Sequence, residues 1–384
     1  MKKLVYIVNN RIPAERANSI QTMHMCVEFS KICNKKGWNF ELVAPRRKNP
    51  LGYDPCAYHG FAEKIKIQWL WCFDAIGKFP GLGVVAYWLH SISYVISLIF
   101  WFLRDTDEIV VFTREIFIAL LFRKHILELH TIPDKPSFLY RWAIRRCINI
   151  VAITEGMKQD LVTMSCSESS IMVAPDGIDL KRFGDEMDQL MVRSELQIQS
   201  DVFVVVYTGS FFQHSWKGVD ILLEAAKKLS VHKNILVILV GGHAEELSKM
   251  GEYKNFENIR LVEHSPFATV RKYLAAADVL VLPNKSGSIT SERYTSPLKL
   301  FEYMAVRRVI IASDLPSIRE ILDDESTFFV QPSSIEDLAN MILNVSNMDK
   351  KDFESKINSA YKKAKEYAVD IRAERIFKIA QNIE

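Results

Sequence analysis

A stretch late in the chain combines residue types that could hold an anion. Positions 295–305 read TSPLKLFEYMA. Ser296 is a favourable N-cap and Pro297 a favourable first helical residue, so the backbone N–H groups that follow lack partners within a helix. Phosphate oxygens accept such N–H bonds, and Lys299 adds a positive charge. Glu302 could accept hydrogen bonds from two neighbouring hydroxyls, as a ribose offers, although spacing alone favours an ordinary capped amphipathic helix.

A second candidate for phosphate binding follows a predicted strand. The strand Phe203–Thr208 ends in Gly209 and Ser210, and Lys217 and Gly218 precede a helical run. A glycine lets the backbone approach an anion, and a lysine at a helix entrance adds charge. The segment lacks the second glycine and the Lys-Ser/Thr ending of a P-loop. Taken alone, it is also compatible with an ordinary surface lysine.

These segments lie in a chain whose apolar pattern predicts an α/β fold. Short apolar strands alternate with longer amphipathic stretches, which is typical of parallel sheets with crossover helices. We predict two Rossmann-like, doubly wound domains. The boundaries are an N-terminal domain over residues 1–180, a linker over 181–200, a C-terminal domain over 201–366 and a final helix over 367–384 that packs back on the first domain. Ligands of such folds bind beyond the carboxyl ends of the strands, so we expect the domains to face each other across a ligand-binding cleft.

The two motifs, with further segments, resemble the retaining family-four glycosyltransferases of GT-B fold. The similarity is tight over residues 151–321 and loose over the first 100 residues. It implies that the chain moves a sugar, with a hexose favoured, from a nucleotide-diphosphate sugar to a glycan or lipid-linked glycan in surface polysaccharide or glycolipid synthesis. It also implies retention at the anomeric carbon, with no metal and no cofactor. The similar segments are Ala152–Glu155, Val173–Asp179, Gly209–Gly218, Ala277–Val279, Ser296–Ala305 and Ala312–Glu320.

The resemblance also implies roles for single residues. Lys217 would contact the donor diphosphate, the start of the Pro297 helix would cradle it, and Glu302 would hold the ribose. His130 would be the catalytic residue near the transferred sugar, although its sequence position alone favours a packing histidine. The further donor-binding residues are expected to be Gly209, Ser210, Gly242, His264, Ser296, Leu298 and Lys299.

Two departures from the family pattern leave other functions open. Members commonly carry a glutamate where this chain has Tyr294, with Glu292 two positions out of register, and often an arginine where it has Ser210. A catalytically weak or inactive partner subunit of the same fold is therefore one alternative. A sugar-nucleotide epimerase is another, although it needs acids and bases around the sugar and only Glu128 and His130 are available.

The acceptor is expected to bind the first domain. Candidate residues follow the first strand, begin the next helix or follow the strand at 109–113. They are Asn10, Arg11, Asn18, Ser19 and Arg114. Each position is also compatible with an ordinary loop residue.

The front half is basic and contains one long uncharged apolar segment. Through Leu180 there are 22 basic and 17 acidic residues, and residues 82–103 carry no charge. That segment is long enough to cross a bilayer. His90 and several serines interrupt it, however, and an apolar strand follows closely. We predict a buried or surface-docking helix, and contact with the inner membrane surface remains an open alternative for a protein expected in the cytoplasm.

The composition disfavours other classes of partner. The 384 residues include 49 Lys and Arg against 46 Asp and Glu, a balance too even for a protein that mainly neutralises a nucleic-acid backbone. The six cysteines form no C-x-x-C pair, which favours reduced thiols in the cytosol. The nine histidines form no H-x-x-x-H or H-E-x-x-H pair, so we expect no metal site.

Overall fold

The computed structural model describes residues 1–14, 17–74, 76, 83–183, 186–211 and 215–383. The chain divides into two compact units. The first comprises residues 1–153 and 157–176 together with the chain from Val369 onward, and the second comprises 154–156 and 177–368. Each unit contains one parallel sheet flanked by helices, which confirms the predicted α/β class.

The first unit is built on a seven-stranded parallel sheet, counted over the described residues, in the order β3-β2-β1-β4-β5-β6-β7. The strands are β1 (Lys2–Ile7), β2 (Asn39–Pro45), β3 (Ile67–Leu70), β4 (Glu108–Thr113), β5 (His125–Leu129), β6 (Ile150–Ala152) and β7 (Ile171–Val173). The helices are α1 (Ala17–Lys36), α2 (Pro55–Tyr58), α3 (Gly83–Arg104), α4 (Ile116–Ala119), α5 (Phe138–Ile144), α6 (Glu155–Thr163) and the C-terminal helix (Val369–Asn382).

The sheet of the first unit is buried on both faces. On one face, α1 and the C-terminal helix pack over apolar side chains such as Tyr6 and Phe112. On the other face, Tyr94 and Leu98 of α3 pack against Val5 and neighbouring strand residues. Strands covered on both sides read as continuous apolar runs, which is why the central strands could be predicted from the sequence.

Helix α3 connects β3 to β4, which belong to the same sheet. Among the described residues, α3 is one helix that is long enough and apolar enough to cross a bilayer, judged by length and composition alone. In its most apolar stretch of 18 residues, 22% is buried. Tyr94 and Leu98 pack it on the sheet, as expected of the predicted buried or surface-docking helix.

The second unit is built on a six-stranded parallel sheet, again counted over the described residues, in the order β10-β9-β8-β11-β12-β13. The strands are β8 (Phe203–Thr208), β9 (Ile235–Gly242), β10 (Ile259–Glu263), β11 (Val279–Leu282), β12 (Val309–Ser313) and β13 (Phe328–Val330). The helices are α7 (Leu180–Phe183), α8 (Gln189–Glu195), α9 (Val219–Lys228), α10 (Ala244–Lys249), α11 (Phe267–Ala276), α12 (Leu298–Ala305), α13 (Pro316–Arg319), α14 (Ile335–Ser346) and α15 (Lys350–Glu366).

The structure contains three strands that the apolar pattern did not predict, namely β5, β7 and β13. Strands β7 and β13 have three residues each, too short for a clear alternation. Strand β5 contains His125 and Glu128, which interrupt its apolar pattern although both are buried. The region predicted as a linker contains the helices α7 and α8.

Candidate functional site

The loop after β8 brings a glycine against a lysine of another element. Gly209 has a φ of 127°, a backbone conformation that favours glycine. A Cβ atom at this position would lie 3.2 Å from Nζ of Lys299. The absence of a side chain therefore lets the end of β8 approach the first turn of α12.

Lys217 lies in the same region, at the end of a 3₁₀ turn over Ser215–Lys217. Its Nζ donates a hydrogen bond of 2.5 Å to Oγ of Ser210. Gly218 follows as the N-cap of α9 with a φ of 69°, and a Cβ atom there would lie only 1.8 Å from the carbonyl oxygen of Pro283. A side chain at this position would clash with Pro283, so the turn next to Lys217 requires glycine. Burial lowers the pKa of Lys217.

Lys299 is the least compensated charge of this region. Its Nζ atom is buried and makes no hydrogen bond within the described residues. The nearest ring is that of Tyr207, whose centre is 3.8 Å from Nζ. Burial, together with the positive charge of Lys217, lowers the pKa of Lys299 well below its usual value, and the carboxylate of Glu302 only partly opposes this.

The entrance of α12 offers backbone donors beside these lysines. Pro297 is extended, with φ −76° and ψ 120°, and the helix begins at Leu298. The predicted N-cap at Ser296 is therefore one residue too early, because the carbonyl of Pro297 accepts the first helical bond, donated by Leu300 at 2.8 Å. The amides of Leu298 and Lys299 precede that bond and have no protein acceptor within the described chain.

Glu302 lies one turn further along α12. Burial raises the pKa of its carboxyl to about 7, although Lys299 and Arg182 act in the opposite direction. The neighbouring Tyr303 fixes the helix to the sheet, because its hydroxyl accepts a hydrogen bond of 2.9 Å from the backbone N–H of Thr208. This hydrogen bond ties α12, which carries Glu302, to the end of β8.

The remaining donor-binding candidates lie at the carboxyl ends of neighbouring strands. Gly242 ends β9, and its carbonyl accepts a hydrogen bond of 2.9 Å from the N–H of His264, just after β10. The ring of His264 is exposed and stacks on that of His243, with centroids 5.6 Å apart. The structure thus brings Gly209, Ser210, Lys217, Lys299 and Glu302 together, with Gly242 and His264 on the adjoining strand ends. This arrangement can hold an anion of diphosphate size next to hydroxyl groups.

The positions that depart from the family pattern lie near the same helix entrance. Tyr294 is buried. The carboxylate of Glu292 accepts a hydrogen bond of 2.7 Å from the backbone N–H of Gly287. This bond stabilises the loop over residues 287–292.

In the first unit, His130 follows β5 and is held by a buried carboxylate. Its Nε2 lies 2.7 Å from Oε1 of Glu128, which is fully buried. The same oxygen accepts a hydrogen bond of 2.8 Å from Nε of Arg114, and Oε2 accepts one of 2.7 Å from Arg372. The arginines Arg372 and Arg114 hold the pKa of Glu128 well below its usual range against the opposing effect of burial.

Arg372 is a residue that the sequence analysis missed. It lies on the C-terminal helix, 244 positions from Glu128, and its Nε donates a hydrogen bond of 2.7 Å to the carbonyl of Pro175. Burial raises the pKa of the neighbouring Asp176. The signal available in the sequence was an acidic residue inside the apolar run HILEL, because a buried carboxylate requires a cationic partner.

The acceptor-binding candidates differ in how far their polar groups are already used. Asn10 and Asn18 are exposed, and Arg11 is partly exposed although its Nε is buried without a partner among the described residues. Ser19 is buried, accepts a hydrogen bond from the N–H of Ala14 and contacts His59. The guanidinium of Arg114 is bound to Glu128 and Gln21. The structure therefore leaves Asn10, Arg11 and Asn18 more available than Ser19 and Arg114.

No group of three or more His, Cys, Asp or Glu side chains among the described residues is placed to hold a metal ion. The six cysteines are buried and form no disulfide bond.

Sequence comparison identifies relatives of this chain. Residues 202–347 match the family of group 1 glycosyl transferases. TuaC of Bacillus subtilis (strain 168), named as a teichuronic acid biosynthesis glycosyltransferase, is 25% identical over 204 residues, which form 53% of this chain and 48% of TuaC. The match thus spans about half the length of that relative.

Solved structures resemble the chain over almost its whole length. A sucrose-phosphate synthase from Thermosynechococcus elongatus gives a TM-score of 0.76 at 15% identity, over 99% of this chain and 98% of that one. The Anabaena protein Alr3699/HepE, in complex with UDP-glucose, gives 0.71 at 13% identity over 99% of both chains. The chain therefore has the GT-B fold, and its residues 202–347 match the family of group 1 glycosyl transferases.

Proposed function

We propose that the chain is a retaining hexosyltransferase that moves a sugar from a nucleotide-diphosphate sugar to a glycan or lipid-linked glycan. The observation that supports this most directly is the buried Nζ of Lys299, which lies beside the unpaired amides at the start of α12 and makes no hydrogen bond within the described chain. The group 1 family match and the UDP-glucose found in Alr3699/HepE agree with such a donor.

Under this proposal, the charge of the leaving group explains why Lys217 and Lys299 lie near the start of α12. When the bond between the anomeric carbon and the diphosphate breaks, negative charge develops on the phosphate oxygens. Lys217, Lys299 and the amides of Leu298 and Lys299 would stabilise that charge from fixed positions, which is the most effective form of electrostatic catalysis in a site with little water. Glu302 would bind the ribose hydroxyls through its carboxylate oxygens.

In the proposed reaction, the acceptor hydroxyl oxygen forms the new bond to the anomeric carbon on the face that the diphosphate leaves. The hydroxyl proton goes to the departing phosphate, so no protein base is required. His130 would contact the sugar. Because its Nε2 faces Glu128, the Nδ1 side of the ring is the side available to a sugar hydroxyl.

The reaction is proposed to need neither a metal nor a cofactor, because the cationic groups of α12 and of the β8 loop would supply the charge that a metal supplies elsewhere. A cytoplasmic site with an acceptor at the inner membrane surface fits surface polysaccharide synthesis. The name of the TuaC relative points to the same class of product.

Ligand binding tests the proposal first. In a thermal-shift screen of nucleotide diphosphates and their sugars, a ligand at 100 times its dissociation constant should stabilise the protein by about 2.7 kcal/mol. Glu302→Ala should lose that stabilisation, whereas Glu336→Ala, an exposed carboxylate of α14, should keep it. If none of the nucleotide diphosphates shifts the melting temperature, the proposal is wrong.

A catalytically inactive partner subunit is the second candidate, and the buried Tyr294 in place of the usual glutamate favours it. It predicts donor binding without nucleotide release in the presence of acceptor extracts. Nucleotide release in the presence of these extracts would exclude an inactive subunit. A product linkage with the same anomeric configuration as the donor, determined by NMR, would show retention. An epimerase is less favoured, because the carboxylate of Glu128 is bound by two arginines and a histidine and is a poor proton donor.

A further inference from the structure

The outward side of α3 is more apolar than its inward side. The buried positions recur every fourth residue and are Ala86, His90, Tyr94 and Leu98. On the opposite side, apolar residues recur at spacings of three and four and are 43% to 73% exposed. This set, called the α3 stripe here, consists of Val85, Trp88, Ile92, Ile96, Ile99 and Leu103. A helix at a water-exposed surface normally carries charged residues on that side.

The polar side chains of α3 are directed toward the protein. Oγ of Ser93 accepts a hydrogen bond from the N–H of Phe73 and donates one to the carbonyl of His90. Ser91 and His90 both contact the side chain of Asn9, each at 3.2 Å. The helix is therefore inverted relative to an ordinary amphipathic helix. Its outward side suits an apolar environment, and its inward side makes hydrogen bonds with the rest of the protein.

Neighbouring elements extend this apolar surface. The ring of Phe102 lies edge-on to that of Phe122, with centroids 4.9 Å apart. Ile118 of α4 shares an apolar cluster with Tyr94 and Leu98 of α3, and α4 packs against α5. The α3–α5 face, as named here, joins the α3 stripe with the exposed apolar residues Phe117, Leu121, Phe138, Leu139 and Trp142.

The same segment carries unbalanced positive charge. Six exposed cations between positions 83 and 148 have no acidic partner within the described residues, namely Arg104, Arg123, Lys135, Arg141, Arg145 and Arg146. The exposed acidic residues of that span are Glu108, which pairs with Lys124 at 2.6 Å, and Asp134. The guanidinium of Arg146 lies 4.2 Å from the centre of the Trp142 ring, so a cation and an interfacial aromatic are adjacent.

We propose that the α3–α5 face docks on an anionic membrane, with α3 lying along the interface and the arginines contacting lipid phosphates. Exposed tryptophans and phenylalanines beside arginines suit the boundary between headgroups and acyl chains. A second copy of the chain is a poorer occupant, because docking two such faces would bring unpaired cations together. The proposal identifies the surface that would bring the enzyme to its acceptor, and it does not depend on sugar transfer.

Co-sedimentation with lipid vesicles tests the proposal on the full chain. Wild-type protein should bind vesicles that contain phosphatidylglycerol and should bind pure phosphatidylcholine vesicles more weakly, and added salt should reduce the difference. The double variant Ile92→Glu/Ile96→Glu should lose binding by about tenfold or more. The variant Arg141→Gln/Arg146→Gln should weaken binding only to anionic vesicles, by about fivefold for each arginine.

A matched control places the same substitution on the second unit. Leu190 and Met191 are 63% and 58% exposed, so Leu190→Glu/Met191→Glu should bind vesicles as the wild type does. Thermal unfolding and the nucleotide-diphosphate shift should be unchanged in all variants, which separates this proposal from the proposed function. Equal vesicle binding by wild type and Ile92→Glu/Ile96→Glu would overturn it. A dimer that this double variant converts to a monomer would assign the face to a second copy instead.

Discussion

The Nζ atom of Lys299 lies 3.8 Å from the centre of the Tyr207 ring and makes no hydrogen bond within the described residues. A ring face attracts a cation, but it does not replace the water that the amine loses. The unliganded protein therefore holds a poorly solvated amine next to Lys217. Such an arrangement is unfavourable for stability and is typical of a site that an anion completes.

Replacing this lysine should make the protein more stable and unable to bind its donor. Lys299→Met removes a desolvated amine and keeps the apolar stem, so the free energy of unfolding should rise by about 1–2 kcal/mol. The stabilisation by a nucleotide diphosphate should disappear. Chemical denaturation with and without the nucleotide measures both effects. The control Lys233→Met, at a side chain that is 81% exposed, should change neither. A less stable Lys299→Met protein that still binds the nucleotide would contradict the site.

Donor binding should be coupled to proton uptake. Because the pKa of Lys299 is well below its usual value, part of the free protein carries a neutral amine at alkaline pH. A diphosphate favours the charged form, so binding at about pH 8.5 should take up protons, up to one per site. Calorimetric titrations in buffers of different ionisation enthalpy measure this number. Lys299→Met should take up none, and the same uptake in the variant would show that another group is responsible.

The stability of the free protein should depend on pH through Glu302. Burial raises the pKa of this carboxyl from 4.5 to about 7, so the folded state holds the proton more tightly than the unfolded state. The resulting stabilisation is fully present below about pH 4.5 and is lost as the pH rises through about 7. Because Glu302 is partly exposed, the loss should amount to about 1–2 kcal/mol. Unfolding free energies between pH 4.5 and 8.5 should show this fall in wild type and a flatter profile in Glu302→Gln, and parallel profiles would contradict it.

The strands and the lysines of the donor site could be predicted from local pattern because their causes are local. Strand β8 is a continuous apolar run, and Gly209, Lys217 and Gly218 follow it within ten residues. The predicted start of α12 differs from the observed start by one residue, because a proline is compatible with both the N-cap and the first helical position. Local pattern carried no information on how deeply Lys299 and Glu302 are buried.

The setting of His130 could not be predicted in this way, because its partners come from distant parts of the chain. Strand β5 was missed because Glu128 interrupts its apolar run, and the reason that Glu128 is tolerated lies in Arg114 and Arg372. Arg114 was assigned to the acceptor because it follows β4, yet its guanidinium also binds Glu128. A single sequence gives the charges of these residues but not their pairing.

The chain Arg372–Glu128–His130 leads to a prediction on turnover. Glu128 is fully buried and accepts from both residues at 2.7 Å, so Arg372 should act as a positioning residue that keeps the carboxylate in place to orient His130. His130→Ala and Arg372→Gln should each lower kcat by about tenfold or more, with the KM for the donor little changed. If Arg372 acts through His130, the double variant should be no slower than the slower single variant.

A purely structural role for Arg372 would give a different pattern. Losing a buried ion-pair partner destabilises the protein by about 3 kcal/mol, so assays should run well below the melting temperature of Arg372→Gln. The comparison of kcat with KM supplies the readout that stability alone would not move. In wild type the Glu128 carboxylate accepts a hydrogen bond from Nε2 of His130, and in Arg372→Gln the loss of that orientation should lower kcat while the KM for the donor is little changed. Multiplicative losses of kcat in the double variant would show that Arg372 serves only the packing of the C-terminal helix.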